Sequence, residues 1–227
     1  MSEQSTLRSK LDLDASSALG RAVICIAGID EVGRGALAGP VVAAAVVLPP
    51  GCALPGLRDS KRMTAASRAR LDVQIRAQAQ DYAVGEASVE EIDRMNILQA
   101  SFLAMQRAVT GLRNTPTLLL VDGKLVPYLQ WGGHRVATEA IVGGDDTVLA
   151  ISAASVLAKE YRDRLMVMAA KQYSDYGFER HKGYGSPAHL TALRRFGSTP
   201  LHRMSFAPVR QAALATVRAG LAHGDTQ

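Results

Sequence analysis

An α/β layer fold with a mixed sheet is the architecture this sequence predicts. Apolar runs of strand length alternate with stretches of helical period along most of the chain. The first two apolar runs are joined by a short glycine-rich loop, which suggests an antiparallel pair. Val148 to about Gln172 has the length and alanine content of a long, well-buried helix.

Met1 to about Gly20 is polar and aperiodic and reads as a flexible leader. Val23–Ile29 reads as the first strand, and Val41–Leu48 as the second, stopped by Pro49-Pro50-Gly51. Met63 to about Gln80 is Ala/Arg/Gln-rich with a helical period, and Tyr82–Ala87 fits a third strand. Val89–Asp93 is a short helix. Ile97–Leu112 is a longer one, with Ile97, Ala100, Leu103, Ala104 and Ala108 at helical spacing. Thr117–Val121 is a strand ending on Asp122-Gly123, and Arg135–Ile141 another, ahead of Gly143-Gly144. After the long helix come helical stretches at Pro187–Phe196 and Pro208–Leu221.

With 227 residues and 48% hydrophobic content the chain can bury a normal core, which excludes global disorder. The formal charge of +5 is unevenly spread. Phe178 to Arg210 carries six Lys/Arg and three His against one acid, Glu179, which suits a polyanionic partner; a solvated basic face is the plain alternative. Cys25 and Cys52 lack paired spacing, so neither a disulfide framework nor a zinc site is implied. Residues 1–20 lack a signal-peptide core and no run has the length of a membrane span, so a soluble, cytoplasmic protein with no membrane association is expected.

Three strand-to-loop junctions end in acid: Asp30-Glu31, Asp122 and Asp145. A lone Asp after a strand usually caps a turn. Four carboxylates gathered at one sheet edge would repel unless a cation neutralised them. Hard cations such as Mg²⁺ or Mn²⁺ accept all-oxygen sites, and two of them about 4 Å apart suit phosphodiester hydrolysis. Either Asp145 or Asp146 can supply the last acid. Gly33-Arg34-Gly35 follows directly on the first acids. It is neither a Walker loop nor a dinucleotide fingerprint. Its glycines permit a tight turn and close approach of the backbone to a sugar or phosphate, and Arg34 adds a planar cation.

Assembled, these pieces resemble the bacterial ribonuclease HII family from about Ile24 to Arg210. The resemblance rests on Gly28-Ile29-Asp30-Glu31-Val32-Gly33-Arg34-Gly35 with Gly39-Pro40-Val41, on Asp59-Ser60-Lys61, and on Val121-Asp122-Gly123. It continues through Gly144-Asp145, Ile151 to Lys159, Arg162-Asp163, Tyr176-Gly177-Phe178, His181 to Ser186 and His202 to Phe206. Val32 and Ala36 stand where the family pattern has Ala and Pro, and Gly143 and Asp146 where it has Lys and Ala. The resemblance implies a ribonuclease-H-like fold: a five-stranded mixed sheet flanked by helices, with a helical C-terminal part. It divides the chain into a leader (1–20), a catalytic core (21–175) and a substrate-binding region (176–227). It implies Asp30, Glu31, Asp122 and Asp145 as catalytic metal ligands. Gly33, Arg34 and Gly35 match the loop that reads the ribose 2′-hydroxyl, and Tyr184 the aromatic packed on the following sugar. Lys61, Ser155, Lys159 and Lys182 resemble phosphate-contacting positions.

The implied activity is metal-dependent hydrolysis of RNA in RNA–DNA hybrids, and cutting 5′ of ribonucleotides embedded in duplex DNA, leaving 3′-hydroxyl and 5′-phosphate ends. Mn²⁺ or Mg²⁺ is the expected cofactor, the nucleic-acid duplex the expected partner and a monomer the expected state, with no protein partner assigned. The rival readings are another two-metal nuclease on the same fold and a non-catalytic nucleic-acid-binding protein.

Overall fold

A computed structural model describes residues 25–57 and 63–214. The leader (1–20), Lys61 with its Asp59-Ser60 neighbours, and the end of the last helical stretch lie outside the described residues.

Five strands form one mixed sheet in the order β3-β2-β1-β4-β7. β1 (Ile26–Val32), β2 (Val41–Val47) and β3 (Asp81–Ala87) run antiparallel in sequence, while β1, β4 (Leu118–Asp122) and β7 (Ala137–Ile141) are parallel neighbours. The five-stranded mixed sheet flanked by helices is therefore the fold the sequence implied. Val41–Val47 is buried at every position, as an apolar run at the centre of a sheet covered on both faces must be. The two-residue strands β5 (Gln130–Trp131) and β6 (His134–Arg135) close a hairpin over Gly132 and Gly133, both at positive φ. Arg135–Ile141 is thus two elements rather than one, because Val136 turns the chain out of the hairpin and into the main sheet, its N–H bonded to Leu129 O.

The faces of the sheet are covered separately. α1 (Ala65–Gln78) and the long α5 (Leu149–Gln172) pack on one, with Val42, Ala44, Val46, Leu71, Ile75, Ala154 and Leu157 between them. α2 (Val89–Met95) and α3 (Ile97–Thr110) belong to the other, whose core holds Ala27, Ile29, Val41, Leu119, Val121, Ile92, Ala104 and Ala108. Ser88 and Glu91 form a reciprocal capping box on α2. Asn96, at φ 73°, ends α2 and caps α3 by accepting from Leu98 N and Gln99 N.

The first strand runs three residues further than the apolar run suggests, so Asp30 and Glu31 lie within β1, opposite Ala44 and Ala43, and not in the loop beyond it. Alternation then sends their side chains to opposite faces. Gly28 lets α5 press on this strand: a Cβ there would meet the Ala150 carbonyl carbon at 2.2 Å.

α4 (Gly144–Thr147) is a single turn leading into α5, and α6 (Phe178–His181) another beyond it. α7 (Pro187–Phe196) starts with a Ser186 N-cap and Pro187 in its first turn. A further helical run covers 207–214. The region after Tyr176 interlocks with the loop after β1: Ala36 bridges Tyr184, Ala38 bridges His202, Leu37 N donates to Gly183 O and Arg203 N to Leu37 O.

Candidate metal centre and substrate groove

The parallel pairing of β1 with β4 puts Ile29 opposite Val121, so the next residues, Asp30 inside β1 and Asp122 at the end of β4, come side by side. β4 in turn pairs with β7, after which Gly143 at φ 66° turns the chain into α4 and presents Asp145. Carboxylate oxygens of Asp30, Asp122 and Asp145 all lie within 4.8 Å of one another. Asp145 is buried and Asp146 exposed, which resolves which of the pair faces the cluster.

The cluster is braced from the protein side. Glu31 N donates to Asp30 Oδ1 at 2.7 Å, and the Ser155 hydroxyl of α5 hydrogen-bonds the same carboxylate. Gly144 N donates to Asp122 Oδ1 at 2.8 Å. Ser152 Oγ donates to the Asp145 carbonyl, tying α4 to the first turn of α5. Burial first, then the charges of Glu31 and Asp122, push the Asp30 carboxyl up to about 8, against the pull of Ser155. Three carboxylate oxygens this close form a donor set suited to a hard divalent cation.

Glu31 sits apart from those three oxygens. Its carboxylate accepts from Arg34 Nη1 at 3.0 Å, beside Asp122 and at the edge of a small cleft lined by Leu98, Phe102, Lys124 and Leu125. Burial raises its pKa, Arg34 opposes the rise, and Asp122 adds to it.

Gly33 is buried at φ +92°, a conformation open to glycine, and a Cβ there would meet Arg162 Nε at 2.2 Å. Arg34 and Gly35 are exposed, and among the described residues their N–H groups meet no acceptor, leaving both available to a ligand. Tyr184 stands across from this loop with 37% of its surface exposed. Ser155, expected at phosphate, is buried against Asp30, so it braces an acid and does not face the groove. Lys159 is half-buried and paired with Asp163 on the same helix. Lys182 takes a left-handed backbone at φ 51° and turns its ammonium back to the Glu179 carbonyl.

Two arginines appear in the sequence motifs without an assigned role. Arg162 and Arg203 are fully buried. Arg162 donates from Nε to Pro40 O, from Nη1 to Lys182 O and from Nη2 to Ala38 O, each at 2.9 Å, and its guanidinium lies 5.4 Å from the Tyr184 ring centre. Arg203 donates to Gly39 O at 2.9 Å and Arg34 O at 3.0 Å. Burial, with Arg162 nearby, pushes Arg203 down to about 9. Arg162 had a detectable signal: it stands between Ala158 and Met166 on the buried stripe of α5, where a cation is out of place unless partnered.

Two of the three histidines of the basic stretch, His189 and His202, are also internal. Thr199 N donates to His202 Nδ1 at 2.9 Å, and His189 Nδ1 faces Tyr184 O at 2.9 Å. Nδ1–H of His189 must therefore donate to that carbonyl. Its Nε2 accepts from His202 Nε2–H at 3.1 Å, so both rings are neutral. Burial, then His189, pushes His202 down to about 4. These rings support Tyr184 from below and add no charge to the groove.

Comparison with known proteins agrees with this geometry. The family model described as Ribonuclease HII matches residues 27–209. A ribonuclease HII of Delftia acidovorans is 58% identical over 184 residues, 81% of this chain and 76% of that protein. The ribonuclease H2 of Pyrococcus horikoshii superposes with a TM-score of 0.72 at 25% identity, over 86% of this chain and all of that one. The Archaeoglobus fulgidus RNase HII, solved with PCNA, gives a TM-score of 0.64 at 25% identity, over 81% of this chain and 95% of that one.

Proposed function

This chain belongs to the ribonuclease HII family, and from that premise we propose that it is an RNase H endonuclease that cuts 5′ of ribonucleotides embedded in duplex DNA as well as within RNA–DNA hybrids. The observation that carries the reading is the convergence of Asp30, Asp122 and Asp145 within 4.8 Å, beside the loop that carries Arg34 and that Ala36 bridges to Tyr184.

Asp30, Asp122 and Asp145 are the residues that would hold divalent metal, Mn²⁺ or Mg²⁺, with Glu31 at the margin. When bound, the metal supplies charge neutralisation at the phosphate and a water acidic enough to attack at neutral pH. The residues do the rest. Ser155 and the Glu31 N–H hold Asp30 in place. The Arg34 and Gly35 N–H groups can hydrogen-bond a 2′-hydroxyl, the group that separates ribose from deoxyribose. An unmet partner there costs about 1–3 kcal/mol, which is the discrimination against DNA. Tyr184 offers a flat face to the next sugar, one that suits deoxyribose better than ribose. Arg180, Arg194 and Arg195, on the region from residue 176 onward, bear on phosphates and give position without sequence preference. Lys159 reaches phosphate only by leaving Asp163, and Lys182 only by leaving Glu179.

The scheme is written for one chain acting as a monomer. No helix among the described residues is long and apolar enough to cross a membrane, and we assign the protein to the cytoplasm, where its duplex substrate resides. The Archaeoglobus relative was solved with PCNA, so protein partners are known in the family; the partner assigned to this chain is the duplex.

The test is product mapping on a duplex with one embedded ribonucleotide, in Mn²⁺, in Mg²⁺ and in EDTA, with an all-DNA control. A single metal-dependent cut leaving a deoxyribonucleotide 3′-hydroxyl and a 5′-phosphate on the ribonucleotide is expected. A cyclic phosphate, or cutting of the all-DNA duplex, overturns the reading.

A further inference from the structure

The loop after β1 and the segment bearing Tyr184 are separate pieces of chain, yet selection of a ribose followed by a deoxyribose needs them at a fixed spacing. Both contact the same buried side chain. Arg162 reaches from α5 to three carbonyls at 2.9 Å: Ala38 and Pro40 on one side, Lys182 on the other. Gly33 rests on its Nε edge and Tyr184 over its guanidinium. Arg203, from a third segment, holds Arg34 O and Gly39 O. In all, five carbonyls around the sensor are turned inward by two guanidiniums. Because a trans peptide points its N–H opposite its carbonyl, turning the Arg34 carbonyl inward directs the Gly35 N–H the other way.

We propose that Arg162, assisted by Arg203, is a positioning residue for ribose selection: its guanidinium fixes the distance between the Arg34–Gly35 N–H groups and the Tyr184 ring. The proposal rests on the ribonuclease reading above. Lysine cannot replace it, because a single ammonium cannot span three carbonyls in two segments. A role confined to stability would lower the amount of folded enzyme and leave the ratio between substrates alone.

The experiment compares kcat/KM on a duplex with one embedded ribonucleotide and on a full RNA–DNA hybrid, in saturating Mn²⁺, for wild type, Arg162→Lys, Arg203→Lys, Tyr184→Ala and Arg162→Lys with Tyr184→Ala. Melting temperature and Mn²⁺ affinity are read alongside. Arg162→Lys is expected to lower the single-ribonucleotide-to-hybrid ratio by about tenfold with Mn²⁺ affinity unchanged, and to lower it little further once Tyr184 is gone. Arg203→Lys is expected to move the ratio the same way by less, and serves as the test should Arg162→Lys not fold. A ratio equal to wild type in a folded variant, or full multiplication of the two effects in the double variant, overturns the proposal. A wild type that does not cut at the embedded ribonucleotide defeats the functional reading instead, so the two failures are told apart.

Discussion

Asp30 and Glu31 are adjacent in sequence and face opposite sides of the sheet: Asp30 meets Ser155 of α5, while Glu31 pairs with Arg34 above the cleft bordered by α3. One carboxylate is thereby inside the oxygen cluster and the other at its rim, which separates their consequences.

Asp30→Asn is expected to abolish turnover while duplex binding survives. Its stability effect has an unusual sign. A carboxyl raised to about 8 in the folded state, from an ordinary 3.8, stabilises the fold fully at low pH and loses that contribution as pH rises through 8. In EDTA at pH 8, Asp30→Asn therefore melts above wild type, and in saturating Mn²⁺ the order reverses. Melting curves under the four conditions check it, and an identical order in both buffers contradicts the metal-ligand assignment.

Glu31→Gln is expected to be milder than Asp30→Asn, lowering kcat on the order of 10–100-fold with Mn²⁺ affinity reduced less than by Asp145→Asn. Isothermal titration of Mn²⁺ into the three variants provides the comparison. Loss of metal binding in Glu31→Gln equal to that in Asp145→Asn would place its carboxylate among the main ligands.

Gly28→Ala introduces a methyl 2.2 Å from the Ala150 carbonyl carbon and 2.3 Å from Ile151 N, both of them backbone atoms. α5 must shift, at a cost of about 1–3 kcal/mol, and it carries Ser155 away from Asp30. Denaturation should show the loss, and activity should fall further than the unfolded fraction explains.

His202 provides a pH signature away from the metal site. Its folded value of about 4 lies below the ordinary 6.5, so the unfolded chain binds the proton first. Stability supported by the neutral ring is complete above about 6.5 and falls as pH drops toward 4. His202→Gln should flatten the fall in melting temperature between pH 7 and pH 5. A slope equal to wild type would show that the ring titrates normally.

Much of the fold was readable because its signals are local. Val41–Leu48 is uniformly apolar, and Ile97–Leu112 shows its helical spacing within one segment. The acids were readable because they recur at three strand-to-loop junctions, where any one alone would read as a turn cap. The split of Arg135–Ile141 was missed because Gly132-Gly133 precede the segment, and only the pairing of Gln130 with Arg135 shows that the hairpin consumes its first residue. Lys159, Lys182 and Ser155 were assigned to phosphate by resemblance, and the sequence does not show the tertiary neighbours they have here: Asp163, the Glu179 carbonyl and Asp30 respectively. The basic stretch was overread for the same reason, since Arg203, His189 and His202 are spent inside the protein.

The bond from Arg203 to Gly39 joins residues 164 positions apart. Contacts of that span assemble late, after the neighbouring strands that already gather the acids. On the ribosome, the hydrolytic apparatus can therefore take shape before the chain that disciplines it has emerged. A shortened polypeptide ending near α6 would keep Asp30, Asp122 and Asp145 in its sequence but lack Tyr184 and both bonds from Arg203.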